Sequence, residues 1–201
     1  MALRNSHPKY NQFRFDTGSL SLNFAATVRH RGAQPRDLLP TPDALQEWLR
    51  LAGLSAPAVS PKDHKEALLL REAIHDTVRS VVLNAKPKKT DIENINRAAE
   101  FPIAVPQLHA AADRIQWETK HPIKAGLAVI ARDAITLMGG AERNRLKMCG
   151  SGSCQMLFID HSPANRRRWC AMSICGNREK IRMHRNRKKS PEKIGRQGPK
   201  K

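Results

Sequence analysis

Cysteine is missing from the first 148 residues of this chain. Aromatic side chains make up only 4% of it, and acidic residues are outnumbered two to one by basic ones, 18 against 36. No apolar run reaches the ~18 residues that a membrane-spanning helix needs, so no such span is expected. Met1 to Phe15 has basic residues but no apolar stretch, so it does not read as a secretory signal. The expected setting is therefore a reducing one, the cytoplasm. A Gly-rich phosphate loop, a nucleophile elbow and a His-x-x-x-His metal pair are all lacking. His64, His75 and His109 occur with Asp63, Asp76 and Asp113, but Asp63-His64 and His75-Asp76 are sequence neighbours, about 100° apart on a helix. They read as surface groups, and catalysis is not expected of this chain. An enzyme with a basic targeting tail stays as a rival class. There is no internal repeat apart from the cysteine loops described next.

The four cysteines that do occur lie at 149, 154, 170 and 175, within 27 residues. They form two pairs of one spacing, Cys149-x4-Cys154 and Cys170-x4-Cys175. Two short loops that each offer two thiolates suit a tetrahedral Zn²⁺, each loop holding one edge of the tetrahedron. The segment around them is too short and polar to fold on apolar burial alone. Four thiolates leave no open coordination position, so the expected site is structural. Gly150 and Gly152 are expected to allow the tight path of the first loop. The competing readings are buried reduced thiols or two local disulfides, with His161 and His184 as substitute ligands if a cysteine is free.

Charge is also uneven. Of the formal net charge of +18, residues 143–201 hold +14, from 17 Lys/Arg against 3 Asp/Glu. That asymmetry points to a polyanionic partner. A helix from Cys175 to Lys188 would line up Arg178, Arg182, Arg185 and Lys189, flanked by Arg187 and Lys188. Arg166, Arg167 and Arg168 add a second basic cluster. Such a helix has the size and charge for a DNA major groove. Arg178 and Arg182 are the expected base readers, with Asn177 either reading adenine or bracing the metal loop. Only Phe158 and Trp169 are aromatic here, which is thin for a base-stacking RNA surface. Ile174, Ile181 and Met183 make too little of an apolar face for a membrane. Trp169 is expected to cover the metal site.

Upstream, periodicity predicts helices. Ser19 to Arg31 places Leu20, Phe24 and Val28 on one stripe. Thr41-Pro42 opens a helix that carries Leu45, Trp48 and Leu49 and ends at Gly53. A third starts after Ser60-Pro61, with Leu68, Leu69, Ile74, Val78, Val81 and Val82 inward. Thr90-x-x-Glu93 reads as a capping box for a fourth. Ile103, Val105 and Leu108, then Ile115 and Trp117, suggest a hairpin. Ile123 to Met138 is a helix with Leu127, Ile130, Ala131, Ala134, Ile135 and Met138 buried, stopping at Gly139-Gly140. Beyond it, Gln155 to Asp160 and Arg166 to Ala171 are the expected strands of a second hairpin.

The run Arg167-Arg168-Trp169-Cys170-Ala171-Met172, followed by Cys175-Gly176-Asn177-Arg178, resembles the CGNR zinc finger over about 145–187. Leu22-Asn23-Phe24-Ala25-Ala26-Thr27 and Asp43-Ala44-Leu45-x-x-Trp48-Leu49 are similar to the ABATE domain that accompanies that finger. The resemblance implies a stress-induced transcription regulator. Together these readings describe an α+β chain. A mainly helical domain with a short β-hairpin occupies 1–140 and serves sensing or oligomerisation. A small treble-clef-like four-cysteine finger of β-hairpin plus helix occupies 141–189, and a basic disordered tail 190–201. The expected cofactor is Zn²⁺ and the expected partner double-stranded DNA; an unidentified small-molecule effector and a homodimer are compatible with it. A zinc-stabilised RNA-binding or ribosome-associated module is the other rival. Arg29, His30 and Arg31 could meet an anion or stand exposed.

Overall fold

The computed structural model describes residues 13–189; the expected tail 190–201 lies outside the described residues. Helices begin where side chains can satisfy the free N–H groups of a first turn. Ser19 accepts from the Leu22 N–H and opens α1 (Leu20–Ala25). Thr41 accepts from Ala44, ahead of Pro42, to open α2 (Pro42–Leu51). Ser60 does the same for Asp63 at α3 (Pro61–Val82). Then come α4 (Lys89–Glu100) and α5 (Pro122–Gly139). Three separate antiparallel strand pairs complete the upstream part and begin the finger. They are β1 (Val28–Arg29) with β2 (Arg36–Asp37), β3 (Val105–Leu108) with β4 (Ile115–Glu118), and β5 (Leu146–Met148) with β6 (Leu157–Ile159). The last helix is α6 (Asn177–Lys189).

α3, α4 and α5 pack on one another, α1 lies against α3 and α5, and α2 packs on α3. At the centre Trp48 is fully buried, its ring 4.9 Å from Phe24 and 5.8 Å from Phe15. Leu22, Leu45, Leu49, Ile74, Val78 and Ile130 complete this core. Leu146, Leu157 and Ile159 of the β5–β6 hairpin belong to it too. The register Leu146↔Ile159, Lys147↔Phe158, Met148↔Leu157 explains how. Side chains alternate across a strand. One face of the hairpin therefore sinks into the helical core, and Phe158 faces the cysteines.

Several local expectations change. The first helix stops at Ala25, because the Thr27 hydroxyl donates to Phe24 O at 2.7 Å and Val28 turns into β1. Val28 is thus a strand residue, as its β-branching favours. On α3, Leu70 faces the core and Leu69 is 56% exposed; the buried stripe runs Ala67, Leu70, Ile74, Val78 and includes polar Arg71 and His75. α4 starts at Lys89, so Thr90 lies inside the first turn and forms no capping box. On α5, Leu137 is buried and Ile135 is 40% exposed. The partner of β6 is the upstream β5, not Arg166 to Ala171, which forms no strand. None of the described helices is long and apolar enough to cross a membrane.

Candidate metal centre

Pairing β5 with β6 turns the chain tightly through residues 149–156, and this turn carries the first two cysteines. Cys149 N donates to Met156 O at 2.8 Å and Cys154 N to Ser151 O at 2.9 Å. The left-handed residue of the turn is Gln155 (φ 53°), whereas Gly150 and Gly152 keep negative-side or extended φ. Gly150 is needed for a different reason. A Cβ there would lie 3.2 Å from Arg168 O and 3.3 Å from the Trp169 ring. Gly150 N donates to Arg168 O at 2.8 Å, which brings Cys170 alongside the turn. Cys175 lies in a wide turn, Met172–Gly176, that feeds directly into α6.

These paths bring the four sulfurs within 4.8 Å of one another, all buried. Cys154 Sγ and Cys170 Sγ are 3.7 Å apart, as are Cys170 Sγ and Cys175 Sγ. A metal held at ~2.3 Å by four sulfurs in a tetrahedron needs S···S edges of about 3.8 Å. The donors therefore fit a tetrathiolate metal site. No sulfur pair is bonded as a disulfide. Trp169 packs against this cluster, as expected of a cover.

Crowding makes the thiols unequal. Hydrogen bonds from Cys154 and Cys170 press Cys149 down to about 2. Cys154 is driven up by its bonds to Cys149 and Cys170, and by burial. Burial, then repulsion from Cys170, pushes Cys175 up to about 12. Four neighbouring sulfurs cannot all shed protons without a cation to balance them, and a divalent metal supplies that balance.

Positive charge reaches the site from the far end of the chain. Arg14 Nη1 donates to Cys170 Sγ at 3.4 Å, while Asp16 holds the same guanidinium. Burial works against the Arg14 charge, but Asp16 and Cys170 more than offset it and keep the group firmly protonated. Burial and then Arg14 press the Arg29 pKa down, and Asp16, Cys154 and Cys170 pull it back. Gly32 abuts the carbonyl of Gly152 with no room for a Cβ. Asp160, fully buried just after β6, accepts from Lys147 at 2.7 Å and from the N–H groups of Ser162 and Arg167. Burial raises its pKa, yet those donors hold it well below the usual carboxylate range. Sequence reading did not single out Arg14, Lys147 or Asp160 for such roles.

The basic residues divide into two kinds. Arg166, Arg168, Arg178, Arg182 and Arg185 are exposed. Arg168 stacks on Trp169 at 5.0 Å, and Arg182 pairs with Glu179 at 2.7 Å. Arg167 turns inward instead: it lies 4.9 Å over the Phe158 ring and donates to Trp169 O and Cys170 O. Asn177 Nδ2 donates to Ser173 O at 3.1 Å, a brace across the turn that holds Cys175. Glu179 accepts from Ser151, joining α6 to the first cysteine loop. Arg187, Lys188 and Lys189 end α6; their side chains lie outside the described residues.

His64, His75, His109 and Arg31 are engaged within the fold. His75 bonds Asp76 and His109 bonds Asp113, each at 3.0 Å, so one of the two neighbour pairs does meet. His64 bonds Leu39 O, and Asp63 bonds Ser60. Arg31 grips Glu72 with two bonds, 2.7 and 3.1 Å.

Residues 18–141 match the ABATE family, described as "Putative stress-induced transcription regulator". Residues 145–188 match the CGNR zinc finger. No curated protein matches this chain.

Proposed function

The chain belongs to the ABATE family and carries a CGNR zinc finger, and from that premise we propose that it is a zinc-dependent regulator that binds duplex DNA. Zn²⁺ is the metal of choice because it takes four thiolates without redox chemistry or a geometric preference of its own. Cys149, Cys154, Cys170 and Cys175 would hold it. When bound, it supplies a fixed crosslink between the β5–β6 turn and the start of α6, with no position left for substrate.

One observation carries the DNA reading. α6 runs directly out of the turn that holds Cys175 and exposes Arg178, Arg182 and Arg185 along its length. A rigid cationic helix of this length fits a major groove, and arginine can bond the O6 and N7 of guanine together. Arg166 and Arg168 lie on the finger as phosphate contacts, which position a protein without reading sequence. This reading places the protein on nucleoid DNA in the cytoplasm, where thiols stay reduced.

The helical region would supply the regulation. A cavity of about 330 Å³ opens where α3, α4 and α5 meet, lined by Leu70, Ala98 and Phe101 with Glu66, Arg97 and Lys124 at its polar side. That mix of apolar wall and a few charges suits a small amphipathic effector. The experiment is selection of bound sequences from a random duplex pool, run in parallel with an RNA pool. An enriched duplex motif is the expected result; enrichment in the RNA pool alone would replace DNA by RNA as the partner.

A further inference from the structure

The β3–β4 hairpin is divided into an apolar and a polar face. Its register sets Pro106 opposite Trp117 and Leu108 opposite Ile115. Opposed residues project from one side of a sheet. One face thus carries Pro106, Leu108, Ile115 and Trp117, while Gln107, Gln116 and Glu118 share the other with Val105. Such a division is the mark of a sheet with one side covered. Yet every residue of both strands is exposed, with Leu108 at 69%, Ile115 at 65% and Trp117 at 62%. Among the described residues the hairpin has no third strand. The apolar face continues into a groove of about 610 Å³ bordered by Trp117, Leu54, Ile103, Pro122 and Val129.

We propose that this hairpin is a homodimerisation element, its apolar face seated against the same face of a second copy. Charge selects that occupant. The chain as a whole carries +18, which drives copies apart. Residues 105–118, however, hold Asp113 and Glu118 against Arg114 alone, a net −1 with His109 neutral. Two copies meet here without the repulsion they face elsewhere, and a polyanion finds no cationic grip. Area agrees. One large aromatic side chain, of up to ~250 Å², and two smaller aliphatic ones, all roughly two thirds exposed, leave on the order of 400 Å² of apolar surface per copy. That lies in the ~300–600 Å² range of functional patches on monomers. Doubled, it gives about 800 Å² of apolar contact, to which the groove and the polar rim add toward the ~1,200 Å² of a small stable interface. An isologous contact of this kind closes on itself and does not polymerise.

The inference rests on the hairpin and not on the DNA reading, so its test uses no DNA. Sedimentation velocity of the full metal-loaded chain, over a wide range of concentration, should reveal a monomer–dimer equilibrium. Leu108→Glu and Trp117→Lys should each raise the dissociation constant at least ~10-fold. Gln107→Glu, on the polar face, should leave it unchanged. Far-UV circular dichroism checks folding, and Leu108→Glu carries the test if Trp117→Lys does not fold. A wild-type chain that stays monomeric throughout overturns the proposal, as does a dimer indifferent to Leu108→Glu. A monomer that binds zwitterionic phosphatidylcholine vesicles through Leu108 also overturns it, in favour of a lipid surface.

Discussion

Arg14 Nη1 lies 3.4 Å from Cys170 Sγ, a contact that spans 156 residues of sequence. Four thiolates on a divalent ion leave a net charge of −2, and a guanidinium donating into that cluster offsets part of it. Asp16 holds the guanidinium in place with bonds of 2.6 and 2.5 Å. Groups that touch the ligands rather than the metal typically change metal affinity ~10–100-fold. Arg14→Ala should weaken zinc binding by that order, and Arg14→Lys should restore part of it. Competition with a chromophoric chelator measures both. Equal affinity in wild type and Arg14→Ala would remove Arg14 from the account of the site.

Metal removal should reach beyond the finger. A structural tetrathiolate site contributes on the order of 10 kcal/mol to folding, and the hairpin it anchors gives Leu146, Leu157 and Ile159 to the helical core. Chelation should therefore lower the melting temperature of the whole chain and expose apolar surface in α1 and α3. Calorimetry with and without chelator is the measurement. A helical region that melts at the same temperature in both conditions would mean that the shared core is energetically idle.

The clustering of the four cysteines was legible in the sequence because their identity and spacing are local facts. So were α2 and α3, each opened by a Ser or Thr cap ahead of Pro, α5, whose apolar run stops at Gly139-Gly140, and the β3–β4 hairpin, whose two apolar runs flank a turn. The partner of β6 was not. Leu146-Lys147-Met148 is only three residues long, follows a basic stretch, and is a strand because β6 and the helical core are there to receive it. Arg14 was hidden for a similar reason: nothing near it in sequence hints at Cys170. Leu69 and Leu70 are equally apolar, so only the packing of α1 and α5 decides which one turns inward.

Arg71 offers a test by pH. It is 3% exposed on α3 and donates twice to Asp37, each at 2.7 Å, and once to Glu72 at 2.8 Å. Burial raises the Asp37 pKa, but the bonds from Arg71 and the Leu39 N–H override it and hold it low. A lowered carboxylate pKa stabilises the fold above the unfolded value of about 4 and loses that contribution as pH falls through the folded value. Arg71→Leu should cost about 2–3 kcal/mol at neutral pH, less than a fully buried pair because Asp37 is 38% exposed. Its stability should also fall less steeply than wild type below about pH 5. Urea titrations at several pH values compare the two, and metal release by acid is common to both proteins. Parallel pH curves would show that Asp37 draws nothing from Arg71.

Arg167 and Arg178 look interchangeable in a basic sequence but sit in different surroundings. Arg167 covers Phe158 at 4.9 Å and bonds the backbone of Trp169 and Cys170, so it holds the second cysteine loop in shape. Arg178 is exposed on the first turn of α6. Arg167→Ala should lower finger stability by about 1–3 kcal/mol, the loss of charged hydrogen bonds and of a cation–π contact, and should weaken zinc retention. Arg178→Ala should leave both untouched and reduce the preference for a selected duplex over random duplex by about 1–3 kcal/mol. Chelator competition and salt-controlled binding titrations separate the two effects. If Arg167→Ala affects DNA alone, or Arg178→Ala affects zinc alone, the division of labour between the inward and outward arginines is reversed.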